Sequence, residues 1–257
     1  MSITVENLSV SFGDKHILKD LGFQAKKSGV TAILGPNGSG KTTLLRSINR
    51  IVDPQRGSIT IMGRPLSSLS QKEIAKMISY VPQRAHTCYI SVFDAVLFGR
   101  IPHMGFRASQ SDIDITLATI ERLSLEEQSL QPLYQLSGGE LQKVAIARAL
   151  VQQTPIMILD EPTAALDIKN QLEILILLKD IAQTEGTKIL LTIHDLNTAC
   201  RFADEYIFMK AGKVITTIDR SAITSELIGD IYDIPVDIHW KDSIPTIIPK
   251  HEERFSL

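Results

Sequence analysis

The stretch that constrains this chain most is Gly35-Pro36-Asn37-Gly38-Ser39-Gly40-Lys41-Thr42-Thr43. Before it, Val30 to Leu34 is an apolar run of strand length, and after it a helical pattern begins at Lys41. Every position of the G-x-x-x-x-G-K-[ST] template is filled, from Gly35 through Gly40, Lys41 and Thr42. Glycines let the backbone turn tightly and bring its N–H groups close to an anion with no Cβ in the way. The helix that follows adds its positive N-terminal end. A polyphosphate therefore has a seat, with Lys41 reaching the outer phosphates and Thr42 offering its hydroxyl to Mg²⁺. The spacing predicts a chain that binds a nucleoside triphosphate.

A length of 257 residues allows one large domain, or a core with a smaller subdomain. The net charge of −2 carries no electrostatic footprint of a nucleic-acid binder, so no nucleic-acid partner is expected. Two cysteines, Cys88 and Cys200, show no metal spacing and suit a reduced, cytosolic setting. Met1 to Glu6 lacks the basic and apolar regions of a signal peptide, and no stretch approaches the ~20 apolar residues of a membrane span. The expectation is a soluble chain whose membrane role comes through a partner.

Ile3 to Phe12 nearly alternates apolar and polar residues, with one register break near Asn7 that predicts a bulge. Ile17 to Ala25 reads as a second strand after the Gly13-Asp14 turn. Together they predict an antiparallel flank to a mostly parallel sheet. Strands are also expected at Ser58 to Met62 and Ile78 to Val81, with a helix over Ser70 to Met77. Residues 84–152 change character: Ser91 to Phe98, Ser109 to Leu123 and Glu126 to Leu130 have helical spacing. They predict a helical subdomain inserted in an α/β core. The core resumes with Ile156 to Leu159 and Ile189 to Ile193, separated by a helix over Ile168 to Thr184. Residues 220–257 read as a C-terminal tail, without a long element from Ile231 onward.

Ile156 to Leu159 ends in Asp160-Glu161, two carboxylates at the carboxyl end of a buried strand, where α/β sheets hold ligands. Asp160 suits Mg²⁺ or its waters, and Glu161 suits an attacking water. Leu136-Ser137-Gly138-Gly139-Glu140 opens a helical run to Val151, with Ser137 placed to cap it and Glu140 at its positive end. That makes a second anion-seeking helix start in the same chain.

With these motifs in this order the chain resembles the ATP-binding subunit of an ABC transporter along nearly its whole length, residues 1–257. The order is the phosphate loop, Gln83 after a strand, Leu-Ser-Gly-Gly-Glu, the Asp160-Glu161 run, Ala165-Leu166-Asp167 and the strand-terminal His194. The resemblance implies a P-loop NTPase core with the inserted helical subdomain. It also implies ATP and Mg²⁺ as cofactors, with Gly35 to Thr43 on the phosphates and Thr42, Gln83 and Asp160 at the metal. Phe12 would stack on adenine, Lys41 and Glu161 would act in hydrolysis with Glu161 as general base, and His194 would sense the γ-phosphate. Ser137, Gly138, Gly139 and Glu140 would meet the ATP of a second copy, and Asp167 would lie at that dimer interface. Two positions depart from the family pattern: Glu140 replaces the commoner glutamine, and Ala164 stands where serine is frequent.

The resemblance further implies an integral membrane permease as partner, an extracytoplasmic solute-binding protein acting indirectly, and a place at the cytoplasmic face of the membrane. Tyr89, Ile90, Phe93, Leu97 and Phe98 are candidates for permease docking. Gly99-Arg100-Ile101-Pro102-His103-Met104-Gly105 is similar to a segment of the ATPases that serve iron–siderophore, haem and cobalamin permeases. An importer motor for a metal chelate is the reading this favours. The alternatives are a soluble ABC ATPase of iron–sulfur cluster assembly and a motor for a metal ion or oxyanion. DNA-repair and translation ABC proteins usually carry long coiled-coil insertions or paired ATPase domains, and neither is seen.

Overall fold

The computed structural model describes residues 2–25, 29–84, 87–164 and 166–250. In chain order the elements begin with β1 (Ile3–Phe12), β2 (Lys15–Ala25), β3 (Gly29–Leu34), α1 (Lys41–Ile48), β4 (Arg56–Ile61) and β5 (Arg64–Pro65). Next come α2 (Gln71–Met77), β6 (Ile78–Val81), α3 (Val92–Leu97), α4 (Gln110–Arg122), α5 (Gly138–Leu150), β7 (Ile156–Leu159) and α6 (Ile168–Thr184). The chain closes with β8 (Lys188–Thr192), α7 (Leu196–Phe202), β9 (Glu205–Lys210), β10 (Lys213–Asp219), α8 (Ser225–Tyr232), β11 (Val236–Lys241) and β12 (Ile244–Pro249). These elements fall into two compact units, Met1–Ser67 with Leu190–Leu257, and Ser68–Ile189.

In the first unit β1 pairs antiparallel with both β2 and β4, and the sheet runs β2-β1-β4-β5. The alternation of β1 is interrupted where expected: its register shifts between Val5 and Leu8, and Asn7 takes a left-handed φ of 50°. Asparagine tolerates that conformation better than a branched residue would. β3 pairs parallel with β9, and β9 antiparallel with β10. Val30 to Leu34 is buried throughout, as a strand covered on both faces must be.

The C-terminal region is more structured than its sequence suggests. Thr224 caps α8, Asp233 ends it in a left-handed turn, and β11 and β12 form an antiparallel hairpin. The hairpin turn is Asp242-Ser243, both with positive φ. That is the backbone a two-residue hairpin needs, but the pair lacks the glycine that normally advertises it. Pro245 and Pro249 are tolerated because a two-stranded sheet consists of edge strands.

In the second unit β6 and β7 pair in parallel, and the Asp160 amide donates to the Val81 carbonyl at 2.9 Å, carrying the ladder to the first of the two carboxylates. Gln152 ties the approach to β7 onto β6, its side-chain amide donating to the carbonyls of Ala75 and Ile78. Residues 84–152 hold α3, α4 and α5 with short 3-10 turns, and no strand among the described residues beyond an isolated bridge from Ser91 to Pro132. Glu126 to Leu130 forms turns instead of the expected helix. A left-handed Ser124 (φ 53°) precedes it, and five residues are too few to repay helix nucleation.

Gly99-Arg100-Ile101-Pro102-His103 turns out to be a clamp on the end of α5. A Cβ on Gly99 would collide with the Arg148 carbonyl, so only glycine permits the approach. Arg100 is buried and donates to Asp112 Oδ1 at 2.9 Å, to the Val151 carbonyl at 2.7 Å and to Gln153 Oε1 at 2.9 Å. His103 Nε2 lies 2.8 Å from the Gln152 carbonyl. The segment therefore marks how this subdomain packs.

Candidate active site

The phosphate loop lies between β3 and α1. Gly35 has φ 151°, and a Cβ there would collide with the Met209 carbonyl, which excludes every other residue type. Gly40 is the N-cap of α1 in a left-handed conformation and offers no side chain to the helix start. The first amides of α1 are thus left for a ligand. Lys41 is buried and bridges the loop, donating to the carbonyls of Gly35 at 2.8 Å and Pro36 at 3.0 Å. Ser39 Oγ is buried with no hydrogen-bond partner among the described residues. An orphaned hydroxyl costs about 1–3 kcal/mol, a debt that an incoming acceptor would cancel. Asn37 and Gly38 are exposed, and Thr42 and Thr43 are half-buried.

Sequence reasoning missed Tyr232, which half-buries its ring against this loop from α8. Burial pushes its phenol up to about 12, partly offset by a hydrogen bond from the Gly35 backbone. No spacing rule links positions so far apart. Phe12 is 55% exposed at the end of β1, which excludes a core role and leaves its ring free to stack. His194 is exposed just past the end of β8.

In the second unit Asp160 and Glu161 follow β7, both buried. Glu161 takes φ 49° immediately before Pro162. A non-glycine residue there costs on the order of 1–3 kcal/mol and persists only where its surroundings impose it. Gln83, exposed after β6, donates its side-chain N–H to Glu161 Oε2. The two lie 78 positions apart in the chain, and the fold brings them into contact.

Among the described residues no group of three or more His, Cys, Asp or Glu side chains forms a metal cage. The donor set named for Mg²⁺ is instead one carboxylate, one hydroxyl and one amide oxygen. Gln83 spends its N–H on Glu161, which keeps its carbonyl oxygen as a donor. Few protein oxygens, with the remaining positions left to phosphate and water, is the set that Mg²⁺ prefers.

Ser137 caps α5 in a full capping box: its hydroxyl accepts from the Glu140 amide at 3.3 Å while Glu140 Oε2 accepts from the Ser137 amide at 2.8 Å. The Ser137 hydroxyl, donating to the same oxygen, and then the Ser137 amide hold the Glu140 carboxyl below the usual range. Gly138 and Gly139 are not demanded by the fold. Neither has a positive φ, and a Cβ at Gly138 would meet open space. At Gly139 an added Cβ would meet only Leu166 Cδ2, at an ordinary 3.4 Å, so close approach by something else is the remaining reason for glycine. Ser137→Ala is expected to cost about 1 kcal/mol, read as a lower urea midpoint at unchanged slope. Asp167 caps α6, its Oδ1 accepting from the Asn170 amide at 2.8 Å, and remains exposed. Ala165, of the same motif, lies outside the described residues.

An apolar cavity of about 150 Å³ opens in this unit, lined by Pro82, Ile90, Phe98, Leu133, Leu141 and Val144 among others. Of the candidate docking residues, Ile90 and Phe98 line it, Tyr89 is exposed with its ring tilted by 53° against that of Tyr134 at a centroid distance of 5.2 Å, and Phe93 and Leu97 are half-buried. Among the described residues no helix is long and apolar enough to cross a membrane.

The family model described as ABC transporter matches residues 18–164. An uncharacterized ABC transporter ATP-binding protein of Methanocaldococcus jannaschii is 42% identical over 249 residues, covering 97% of this chain and 98% of that one. The iron(3+)-hydroxamate import ATP-binding protein of Bacillus subtilis is 37% identical over 243 residues, covering 92% and 90%. Among solved structures, a chain of a transporter described as metal-chelate type, in an inward-facing conformation, gives a TM-score of 0.83 at 27% identity and 99% coverage of each. An ATP-binding cassette in a dimeric post-hydrolysis state with ADP and Pi gives 0.76 at 28%, covering 86% of this chain and 100% of that one. The α/β core, the glycine-built phosphate loop, the capped second helix start and these likenesses over nearly the full length agree: this chain is an ATPase of the ABC transporter family.

Proposed function

We propose that the chain is the motor of an importer for a metal chelate of the iron–siderophore, haem or cobalamin type, working as a homodimer on a separate membrane permease. The observation that carries the reading is the pair of glycine-flanked helix starts, α1 at Gly40 and α5 at Ser137, in one chain. Each is built to receive an anion, and two copies placed face to face would give every nucleotide one of each kind. Gly35 to Thr43 cradle the phosphates, Phe12 stacks on the base, and Ser137 to Gly139 reach the nucleotide held by the second copy, with Asp167 at the seam. Thr42, Gln83 and Asp160 would hold Mg²⁺, which supplies charge neutralisation at the phosphates. Glu161 takes the proton of the attacking water, and His194 reads the γ-phosphate.

The solute class is supported by the likeness to the iron(3+)-hydroxamate import protein and to the chain described as metal-chelate type. The apolar cavity beside Pro82 and Ile90 supports docking of a permease helix, which would place the chain at the cytoplasmic face of the membrane. A solute-binding protein on the far side would act only through the permease. The test is reconstitution of the chain with its co-purified membrane subunits in liposomes containing ATP and Mg²⁺. Uptake of a ferric siderophore, haem or cobalamin is expected; ATP hydrolysis stimulated only by a metal ion or oxyanion would move the reading to another solute.

A further inference from the structure

Glu140 brings a full negative charge to the helix start that is read above as a phosphate site. Its Oε2 accepts from the Ser137 hydroxyl at 2.7 Å and from the Ser137 amide at 2.8 Å, and Gln128 donates to its other oxygen at 3.3 Å. A serine hydroxyl has a single proton to donate. While Glu140 accepts it, Ser137 has none for a phosphate oxygen. The charge is not needed for the cap, because a glutamine closes the same box. A carboxylate and a phosphate also compete for the same positive helix end. The two glycines beside it, which the fold does not require, are where that competitor would arrive.

We propose that Glu140 is the resident counter-anion of α5, a positioning residue that occupies the Ser137 hydroxyl and thereby sets the ATP concentration at which two copies close. This rests on the reading in which Ser137 to Gly139 meet a nucleotide held by the second copy. On closure the carboxylate must give up Ser137. Lys143, one turn further along α5 and engaged at 3.3 Å with Glu173, supplies the nearest positive charge on the same helix for it to turn toward.

The test uses the full chain with Glu161→Gln, so that closed dimers accumulate, with and without Glu140→Gln. Each protein is titrated with ATP and Mg²⁺ while light scattering reads the mass. Removing the charge is expected to lower the half-maximal ATP concentration about three- to tenfold, one helix-end charge being relieved at each of two sites. The thermal midpoint should fall only slightly, since the neutral side chain keeps the cap and loses only the carboxylate's attraction to the helix end; a purely structural role would move the melt and leave the titration unmoved. An unchanged or higher half-maximal concentration in a folded Glu140→Gln protein would overturn the proposal alone. If neither protein dimerises at any ATP concentration, the reading of the α5 start falls, and this inference with it.

Discussion

Replacing Glu161 with glutamine is expected to lower ATP turnover by about 10²–10⁴-fold while ATP binding persists, the usual cost of losing a general base. The substitution isolates basicity from shape. Gln83 donates an N–H to Glu161 Oε2, and a glutamine at 161 can present its own carbonyl oxygen to that donor, so the contact survives. The left-handed backbone at Glu161 and the buried surroundings are likewise unchanged by an isosteric amide. What disappears is the carboxylate's negative charge and, with it, the capacity to take a proton from water. Phosphate release gives the turnover, and equilibrium nucleotide binding gives the retained affinity. Turnover within threefold of the parent chain would remove Glu161 from that role. Glu161→Ala is a useful contrast, since it also strips Gln83 of its acceptor and should add a loss of stability that Glu161→Gln avoids.

What the sequence declares is local. Glycine, serine and asparagine announce turns and caps within a few residues of where they act, so the phosphate loop, the Ser137 cap and the Asn7 bulge were all legible. Ile78 to Val81, Ile156 to Leu159 and Ile168 to Thr184 form as their patterns predict, because burial on both faces or on one stripe writes itself into composition. Contacts made across long sequence separations leave no such trace. The Gln83–Glu161 contact, the ring of Tyr232 against Gly35 and the grip of Arg100 on Val151 each join residues that no spacing rule connects. The hairpin at Asp242-Ser243 escaped for a different reason. Its turn adopts positive φ with residues that merely tolerate it, and tolerance is a weaker signal than the preference glycine shows.

The largest loss of stability is expected at Arg100, a residue that touches no part of the proposed nucleotide site. Its guanidinium and the Asp112 carboxylate are both buried, 7% and 5% exposed, and their geometry is saturated. Asp112 Oδ2 accepts from the Ser109 hydroxyl at 2.7 Å and amide at 3.0 Å as the cap of α4, and Oδ1 takes Arg100 Nε. Arg100→Met keeps the stem but leaves a buried carboxylate half-paired and the Val151 carbonyl without its donor. Removing one partner of a buried pair costs about 3–5 kcal/mol. Adding Asp112→Asn to Arg100→Met should return part of that loss, the sign of a coupled pair. Acid gives an independent reading. The Ser109 hydroxyl and amide, and then Arg100, hold Asp112 down to about 2 from an ordinary value near 3.8. A carboxylate depressed in the folded state contributes stability that is complete above the unfolded value and is lost as pH falls through the folded one. The parent chain should therefore lose this contribution between pH ~4 and ~2, and Arg100→Met should show a shallower loss over that window, because one source of the depression is gone. Urea midpoints at pH 7, 4 and 3 measure both effects; a destabilisation below about 1 kcal/mol, the range of an exposed ion pair, would mean that the clamp does not carry the packing of α5. Since α5 begins at Ser137 and ends under Arg100, a loosened clamp should also weaken ATP-driven closure, at the opposite end of the helix from the substitution.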